Sequence, residues 1–306
     1  MRNKFFVLLF YFCFLFISVG CSNKVYVTNT YQIDDDFKAI SIDAATSNVV
    51  LVPSNDNLCT VTCYEDPECV HTVTVSNETL SIILENDSNW INNIGINTDN
   101  PLITVSIPKT ICSSLKIELS TGSVEIDKEL VFDSIDISVS TGSVKCYASA
   151  NENISIETST GNINIGNISA NSISLKVSTG NINVLDVKCN NDFLTKTTTG
   201  KTNLSNITCK NIISTGSTGT ITLNNVIASE KMTIERSTGD VIFKAIDASD
   251  IYISTNTGDI EGSILTEKVF IIKTNTGDYE VSDSITGGRC ELTTNTGDIK
   301  VNLLNE

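Results

Sequence analysis

Basic residues are scarce: 20 Lys and Arg stand against 36 Asp and Glu, a formal net charge of −16 over 306 residues. Neutralising a nucleic-acid backbone takes clustered Lys and Arg, so no nucleic acid partner is expected. The same acidity repels anionic lipid headgroups, so membrane attachment has to come from something other than a basic face. Histidine occurs once, as His71, without a recognisable Ser, Asp or Cys partner motif, and reads as structural. Glycine-rich phosphate loops are absent. One long apolar run exists, Phe5 to Phe16, and it falls short of the roughly 20 residues that span a bilayer. These absences argue against the common catalytic and nucleotide-handling classes, and no cofactor is expected.

What is present is repetition. The phrase Ser/Thr/Asn-Thr-Gly recurs ten times, with its glycines at Gly122, Gly142, Gly161, Gly180, Gly200, Gly219, Gly239, Gly258, Gly277 and Gly297. Successive glycines are 19 or 20 residues apart, the period of a solenoid whose units each fill one turn. One further copy, Ser214-Thr215-Gly216, lies out of register. Counting each glycine as zero, positions −7, −5, +2 and usually +4 are apolar, as in Ile154, Ile156, Ile163 and Ile165, with polar residues between them. Alternation at period two with β-branched residues predicts short strands buried on one face. Thr195 and Ser214 interrupt the −5 column and Thr202 the +2 column. Each unit reads as strand, Thr-Gly corner, strand and link, the glycine supplying a positive φ. Two assemblies fit: a single-stranded parallel β-helix of about ten coils, or an antiparallel meander with Thr-Gly at hairpin tips. Threonine is a poor first residue for a tight hairpin turn, and like residues at like positions suit stacked coils. An all-β parallel β-helix is therefore expected, a rod on the order of 45–50 Å long.

Residues 1–20 read as a targeting segment, with Arg2 and Lys4 ahead of the apolar run. Ser18-Val19-Gly20-Cys21 follows, and resembles the lipobox of bacterial lipoproteins, whose cysteine is acylated. It departs from the usual pattern in carrying Ser18 where a Leu-like residue is common; an ordinary cleaved signal or an uncleaved anchor is the alternative. Acylation at Cys21 implies a protein of the cell envelope, extracytoplasmic and held to the membrane by its lipid anchor. Without Arg2 and Lys4 the formal charge becomes −18. Residues 21–36 read as a polar tether. Residues 37–110 read as an N-terminal cap with imperfect first coils: Ile40 and Ile42, a corner at Ser47-Asn48, then Val50 and Val52 facing inward. Leu80, Ile82 and Ile83 fall in one strand, 85–100 is an Asn/Asp-rich loop, and Ile103, Val105 and Ile107 resume the coil. Residues 111–306 form the repeat array. With no cap visible after Ile299, Val301 and Leu303, the final coil is expected to present an open edge, and a possible end-to-end homodimer through that C-terminal coil follows.

The lipobox, the imperfect first coil, the Ile-Pro before the array and phrases such as Ser159-Thr160-Gly161-Asn162-Ile163 together resemble a bacterial family of unknown function. Its members carry an adhesin label and β-helical repeats, often in cell-surface lipoproteins. The resemblance covers roughly residues 37–303. It implies the architecture and a surface location, and it carries over no catalytic residue.

Outward position +1 ends in a row of Asp240, Asp259, Asp278 and Asp298, with Asn256, Asn275 and Asn295 three residues earlier. Stacked about 4.8 Å apart, these carboxylates form a possible ladder for divalent cations or a solvated corner row. Cys189 and Cys209 both lie nine residues after their glycines, so adjacent coils bring them within disulfide range, as a bridge or as two thiols. Cys59, Cys63 and Cys69 match no standard zinc spacing; disulfide or buried thiols are expected, and Cys112, Cys146 and Cys290 read as small core residues. The leading expectation is a non-catalytic surface lipoprotein, an adhesin or scaffold that meets a surface protein or glycan through a long polar face. The alternative is a β-helical polysaccharide-acting enzyme, lyase or hydrolase, although the array has almost none of the irregular loops that such sites need. A spacer that binds nothing is the third reading.

Overall fold

The computed structural model describes residues 25–84, 101–109 and 112–304. Cys21 and the targeting segment lie outside these residues, as does the 85–100 loop. The described chain contains strands and no helix, and successive units stack as parallel rungs. Ile154 lies opposite Ile173, Ile156 opposite Leu175 and Thr160 opposite Thr179. The same equivalences continue into the next rung, with Ile173 opposite Phe193 and Thr179 opposite Thr199. This is the β-helix rather than the meander. Inward columns at −7, −5, +2 and +4 are buried, for example Ile154, Ile156, Ile163 and Ile165. They join one continuous apolar core along the rod.

At each corner the glycine has φ between 127° and 148°. The stacking is tighter than a positive φ alone requires. A Cβ placed on Gly180 would lie 1.8 Å from the carbonyl oxygen of Gly161 in the next rung. Threonines at −3 tie the corners together: Thr158 Oγ1 donates to the Gly142 carbonyl and Thr255 Oγ1 to the Gly239 carbonyl, both at 3.0 Å. A second corner lies at +6, where Asn167, Asp186, Asn206 and Asn225 adopt φ of 53–56°. That left-handed residue turns the chain so that +7 faces inward again, as Ile168, Val187, Ile207 and Val226 do. Asn and Asp tolerate this conformation better than most side chains.

Rung order departs from sequence order at both ends. The first coil, Ala39–Thr46 with Asn48–Pro53, packs directly on the array through Ile40–Leu115 and Ile42–Ile117. On its other side lie Thr79–Leu84 and Leu102–Ile107, which come later in the chain. Beyond them antiparallel strands close the end: His71–Ser76 on Thr79–Leu84, and Cys59–Glu65 between Leu102–Ile107 and Val27–Ile33. Part of the 21–36 segment is thus a cap strand rather than a tether. Val27, Asn29, Tyr31 and Ile33 make its half-buried face. In the first coil Thr46 aligns with Thr121 and Val49 with Val124. Ser47 therefore holds the glycine place, and Val49 and Leu51 face inward instead of Val50 and Val52. The run Val49-Val50-Leu51-Val52 is apolar throughout, so it carried no alternation from which its facing could be read. Ile83 likewise points outward beside buried Leu80 and Ile82.

At the opposite end the last coil in sequence, Gly288–Thr296 with Ile299–Leu303, is not the last rung. It inserts between Asp250–Thr257 and Lys268–Thr276, pairing with both. Two glycines make the return possible. A Cβ on Gly287 would lie 1.8 Å from the Glu267 carbonyl, and one on Gly288 1.8 Å from the Ser249 carbonyl. The open edge belongs to Lys268–Thr276 and Tyr279–Val281, whose Phe270, Ile272 and Val281 are only half-buried. An end-to-end contact through the C-terminal coil is therefore corrected: that coil is covered on both faces.

Candidate functional site

The +1 column is a hydrogen-bond ladder built into the corner. A side-chain oxygen on one rung accepts from the backbone N–H of the +1 residue on the next. Asn48 Oδ1 accepts from Ser123 N at 2.9 Å, Ser143 Oγ from Asn162 N at 3.2 Å and Asn162 Oδ1 from Asn181 N at 2.9 Å. The aspartates continue it: Asp240 Oδ1 accepts from Asp259 N at 3.0 Å, Asp259 Oδ1 from Asp298 N at 2.8 Å, and Asp298 Oδ1 from Asp278 N at 2.9 Å. Their spatial order is 240, 259, 298, 278, because of the inserted rung. These row positions answer a backbone N–H, which explains why oxygen-bearing short side chains recur there; Lys201, whose N–H donates to Asn181 Oδ1 at 2.8 Å, has no acceptor to pass on and interrupts the ladder. Asn256, Asn275 and Asn295 are exposed beside it, with Asn275 Nδ2 donating to Asn295 Oδ1 at 3.1 Å. Asp259→Asn keeps the accepting oxygen and removes the like-charge contacts with both Asp240 and Asp298. Its melting temperature is expected to equal or exceed that of the wild type, whereas Asp259→Ala loses about 0.5–1.5 kcal/mol in denaturant titration.

A second outward column lies at +3. Asn183 Nδ2 donates to Asn164 Oδ1 at 2.9 Å and Asn203 Nδ2 to Asn183 Oδ1 at 2.8 Å. These amides line a shallow depression with Tyr147, Leu185 and Ser205, and the Leu185 side chain is exposed. The depression thus joins an amide ladder to an apolar patch on a rigid sheet. In the sequence Asn183 is one of many outward polar positions; three asparagines at one offset in successive units, Asn164, Asn183 and Asn203, are the available signal.

Five polar interruptions of the core, Thr195, Thr197, Thr202, Ser214 and Arg236, form two hydrogen-bonded sets. Arg236 occupies an inward −3 position at 6 % exposure. Its Nη2 donates to Ser214 Oγ at 3.2 Å and its Nη1 to the Glu235 carbonyl at 2.9 Å. Thr195 Oγ1 donates to Ser214 Oγ at 2.7 Å, and the Thr197 and Thr202 hydroxyls share a 3.0 Å bond. Gly216 fills the equivalent −3 place one rung away. A Cβ there would come 2.7 Å from Arg236 Nη1, so the phrase Ser214-Thr215-Gly216 makes room for the guanidinium. Burial lowers the Arg236 pKa to about 10, which leaves it cationic at neutral pH.

Cys189 and Cys209 stand on adjacent rungs in the column Ala170, Cys189, Cys209, Ala228. Both are thiols here: Cys189 Sγ donates to the Asp192 carbonyl at 3.3 Å and Cys209 Sγ to the Ile227 carbonyl at 3.9 Å. Burial first raises the Cys209 thiol to about 12, with help from Cys189 and Asp192. Burial likewise pushes Cys146 and Cys290 up to about 12 from an ordinary 9.0. At pH 8 these thiols are expected to resist alkylation in the folded protein and to react on unfolding. An unfolded thiol ionises near 9 while the folded one does not, so their contribution to stability is full below pH 9 and is lost as pH rises toward 12. A urea midpoint that stays constant from pH 8 to 11 would contradict this.

His71 is not isolated. It sits in the cap against Glu65, with Cys63 and Ser47 beside it. Among the described residues this is the one set of three or more His, Cys, Asp or Glu ligand atoms that all lie within 4.8 Å of one another. The aspartate row forms no such set.

Solved structures share this architecture. One called "putative adhesin" from Parabacteroides distasonis ATCC 8503 superposes with TM-score 0.56 at 11% identity, covering 78% of this chain and 98% of its own. One called "a putative adhesin" from Parabacteroides merdae ATCC 43184 gives TM-score 0.51 at 11% identity, covering 77% and 96%. At such identities the likeness is one of fold. No curated protein matches the chain. The Toastrack DUF4097 family model matches twice, over residues 37–191 and 172–305. Together the two matches take in the first coil, the cap apart from Val27–Ile33, and the array, and the chain belongs to the Toastrack DUF4097 family.

Proposed function

We propose that this chain is a non-catalytic cell-surface binding protein, an adhesin or scaffold, held to the membrane through an acylated Cys21. The observation that carries the reading is the continuous outward column of Asn164, Asn183 and Asn203 beside Tyr147 and exposed Leu185. Amides that already bond to one another along the rod hold their remaining donors and acceptors in a fixed periodic row. An apolar side chain next to them suits the face of a sugar ring or a peptide side chain. Each contact is weak, and repetition along a rigid surface adds them. The adhesin names of the fold neighbours support a surface role.

The test is a glycan and surface-protein array probed with the mature chain, alongside a turnover assay on polyuronates. Binding without turnover, reduced at least about tenfold by Asn183→Ala with Leu185→Ser, is the expected result. Product release from polyuronates would replace this reading with the enzymatic one. Mass spectrometry of the membrane fraction should find lipid on Cys21, and Cys21→Ser should free the protein. The aspartate row is a separate outward column at the corner: a melting temperature raised by calcium would make it a cation ladder, and an unchanged value would leave it as a hydrogen-bond column only. End-to-end pairing of two copies belongs at the open rung 268–281, and a monomer by light scattering across micromolar concentrations would remove it.

A further inference from the structure

The strand Cys59–Glu65 buries every second residue: Cys59, Val61, Cys63 and Glu65. Packing would be served by an apolar residue at the last of these, yet a carboxylate stands there at 1 % exposure. An inward carboxylate is costly unless it is fully partnered. The chain then loops back through 66–70 and delivers His71, 3 % exposed, as the first residue of His71–Ser76. Glu65 Oε2 accepts from the His71 backbone N–H at 2.8 Å and meets His71 Nδ1 at 2.5 Å. Its Oε1 accepts from Asn29 Nδ2 at 2.7 Å, which fixes the carboxylate plane. Cys63 is fully buried beside them. On the far side of the imidazole, Nε2 has Ser47 Oγ at 3.5 Å, the residue that replaces the corner glycine in the first coil.

We propose that Cys63, Glu65 and His71 form a structural zinc site that locks the N-terminal cap onto the first coil. Thiolate, imidazole and carboxylate are the three ligand types that zinc takes, with bonds of about 2.0–2.3 Å. Tetrahedral coordination at those lengths sets ligand atoms about 3.5 Å apart; the three here lie within 4.8 Å of one another, and the 2.5 Å Nδ1–Oε2 contact has to open by about 1 Å to admit the ion. A soft sulfur and a nitrogen do not suit calcium or magnesium, which prefer oxygen. Charge favours the ion as well. A thiolate and a carboxylate together carry −2, which Zn²⁺ cancels inside the buried site, the thiol proton leaving to solvent. Ser47 Oγ, facing Nε2 on the far side of the ring, holds the imidazole with Nδ1 toward the ion, and water completes the shell. Asn29, in the outermost strand, acts as the support that orients a ligating carboxylate. The spacing Cys-x-Glu-x5-His escapes the usual zinc patterns because one ligand is a carboxylate and the set spans only nine residues.

The experiment uses the mature chain, stripped with EDTA under reducing conditions, then titrated with zinc and, separately, with cobalt. Elemental analysis is expected to find one zinc per chain, with proton release on binding and a raised melting temperature. Cobalt should show the sulfur-to-metal charge-transfer band of a thiolate ligand. Cys63→Ser and His71→Gln should abolish both signals, Glu65→Gln should weaken binding by roughly 10–100-fold, and Cys69→Ser should leave it intact. Where a variant fails to fold, the cobalt spectrum of the wild type decides. A folded wild type that takes up no zinc, uptake indifferent to Cys63 and His71, or a cobalt spectrum without the thiolate band would overturn the proposal and leave a plain buried His71–Glu65 pair.

Discussion

Gly180→Ala is expected to destabilise the protein by at least about 4 kcal/mol, at the upper end of single-residue effects. Gly180 has φ of 142°, and its new Cβ would lie 1.8 Å from the Gly161 carbonyl oxygen and 2.7 Å from that carbonyl carbon. Both atoms are backbone, so no rotamer change relieves the overlap; the two rungs must separate. Separation breaks the corner bonds from Gly161 N to the Thr179 carbonyl and from Ile163 N to the Asn181 carbonyl, and it opens the Ile163–Ile182 contact behind them. A fall in melting temperature on the order of 10 °C is expected, with lost amide protection centred on rungs 161–200. Gly166→Ala is the control. Its Cβ would meet its nearest atom, the Leu185 carbonyl oxygen, at 3.2 Å, so a cost under about 1 kcal/mol is expected. Equal effects at the two positions would refute the close-stacking account of the corner.

Ending the chain after Gly287 is expected to dissolve two rungs, not one. In an ordinary solenoid the last coil in sequence is also the last in space, and its removal leaves the preceding coil as the new edge. Here the segment from Gly288 to Leu303 lies between Asp250–Thr257 and Lys268–Thr276. Its loss removes the buried side chains of Cys290, Leu292, Ile299 and Val301, a contribution of roughly 6–12 kcal/mol as an upper estimate. Rung 268–281 would then have no partner on either face, and its amides are expected to exchange like those of an unfolded chain. Hydrogen exchange on the truncated and full chains makes the comparison. Preserved protection in 268–281 would mean that it docks directly on Asp250–Thr257, and the insertion would then be dispensable.

The architecture was legible because a solenoid repeats its instructions. Ten Thr-Gly phrases with alternating apolar flanks define the corner, the inward columns and the period, and a fault in one unit is corrected by nine others. The same averaging explains the errors. Where the chain says something once, no neighbouring unit corroborates it. Val49-Val50-Leu51-Val52 lacks alternation, so its facing had to come from pairing with Val124 and Ile126. Val27–Ile33 reads as a polar spacer because Asn29 breaks the apolar alternation of its inward face; Asn29 is satisfied by Glu65 while Tyr31 and Ile33 pack on the core.

The candidate sites divide along the same line. The aspartate row was visible as a list of residues, but its hydrogen-bonding role and its order needed the backbone N–H groups of neighbouring rungs. Gly216 looked like a stray repeat until Arg236, twenty residues away, was found in the space it leaves. His71 looked solitary since no linear motif joins it to Ser47.

By itself the amino-acid sequence determined the period, the hand-over from strand to corner and the identity of the buried columns, since these depend on local alternation and on glycine at a fixed offset. Only the tertiary structure decided which rung follows which at the two ends. Rung order there depends on backbone passing between already stacked coils, as at Gly287 and Gly288, and every coil offers much the same edge to any other. It also decided that the cap gathers Cys63, Glu65 and His71 in one buried place, because convergence of side chains from two strands is a property of packing.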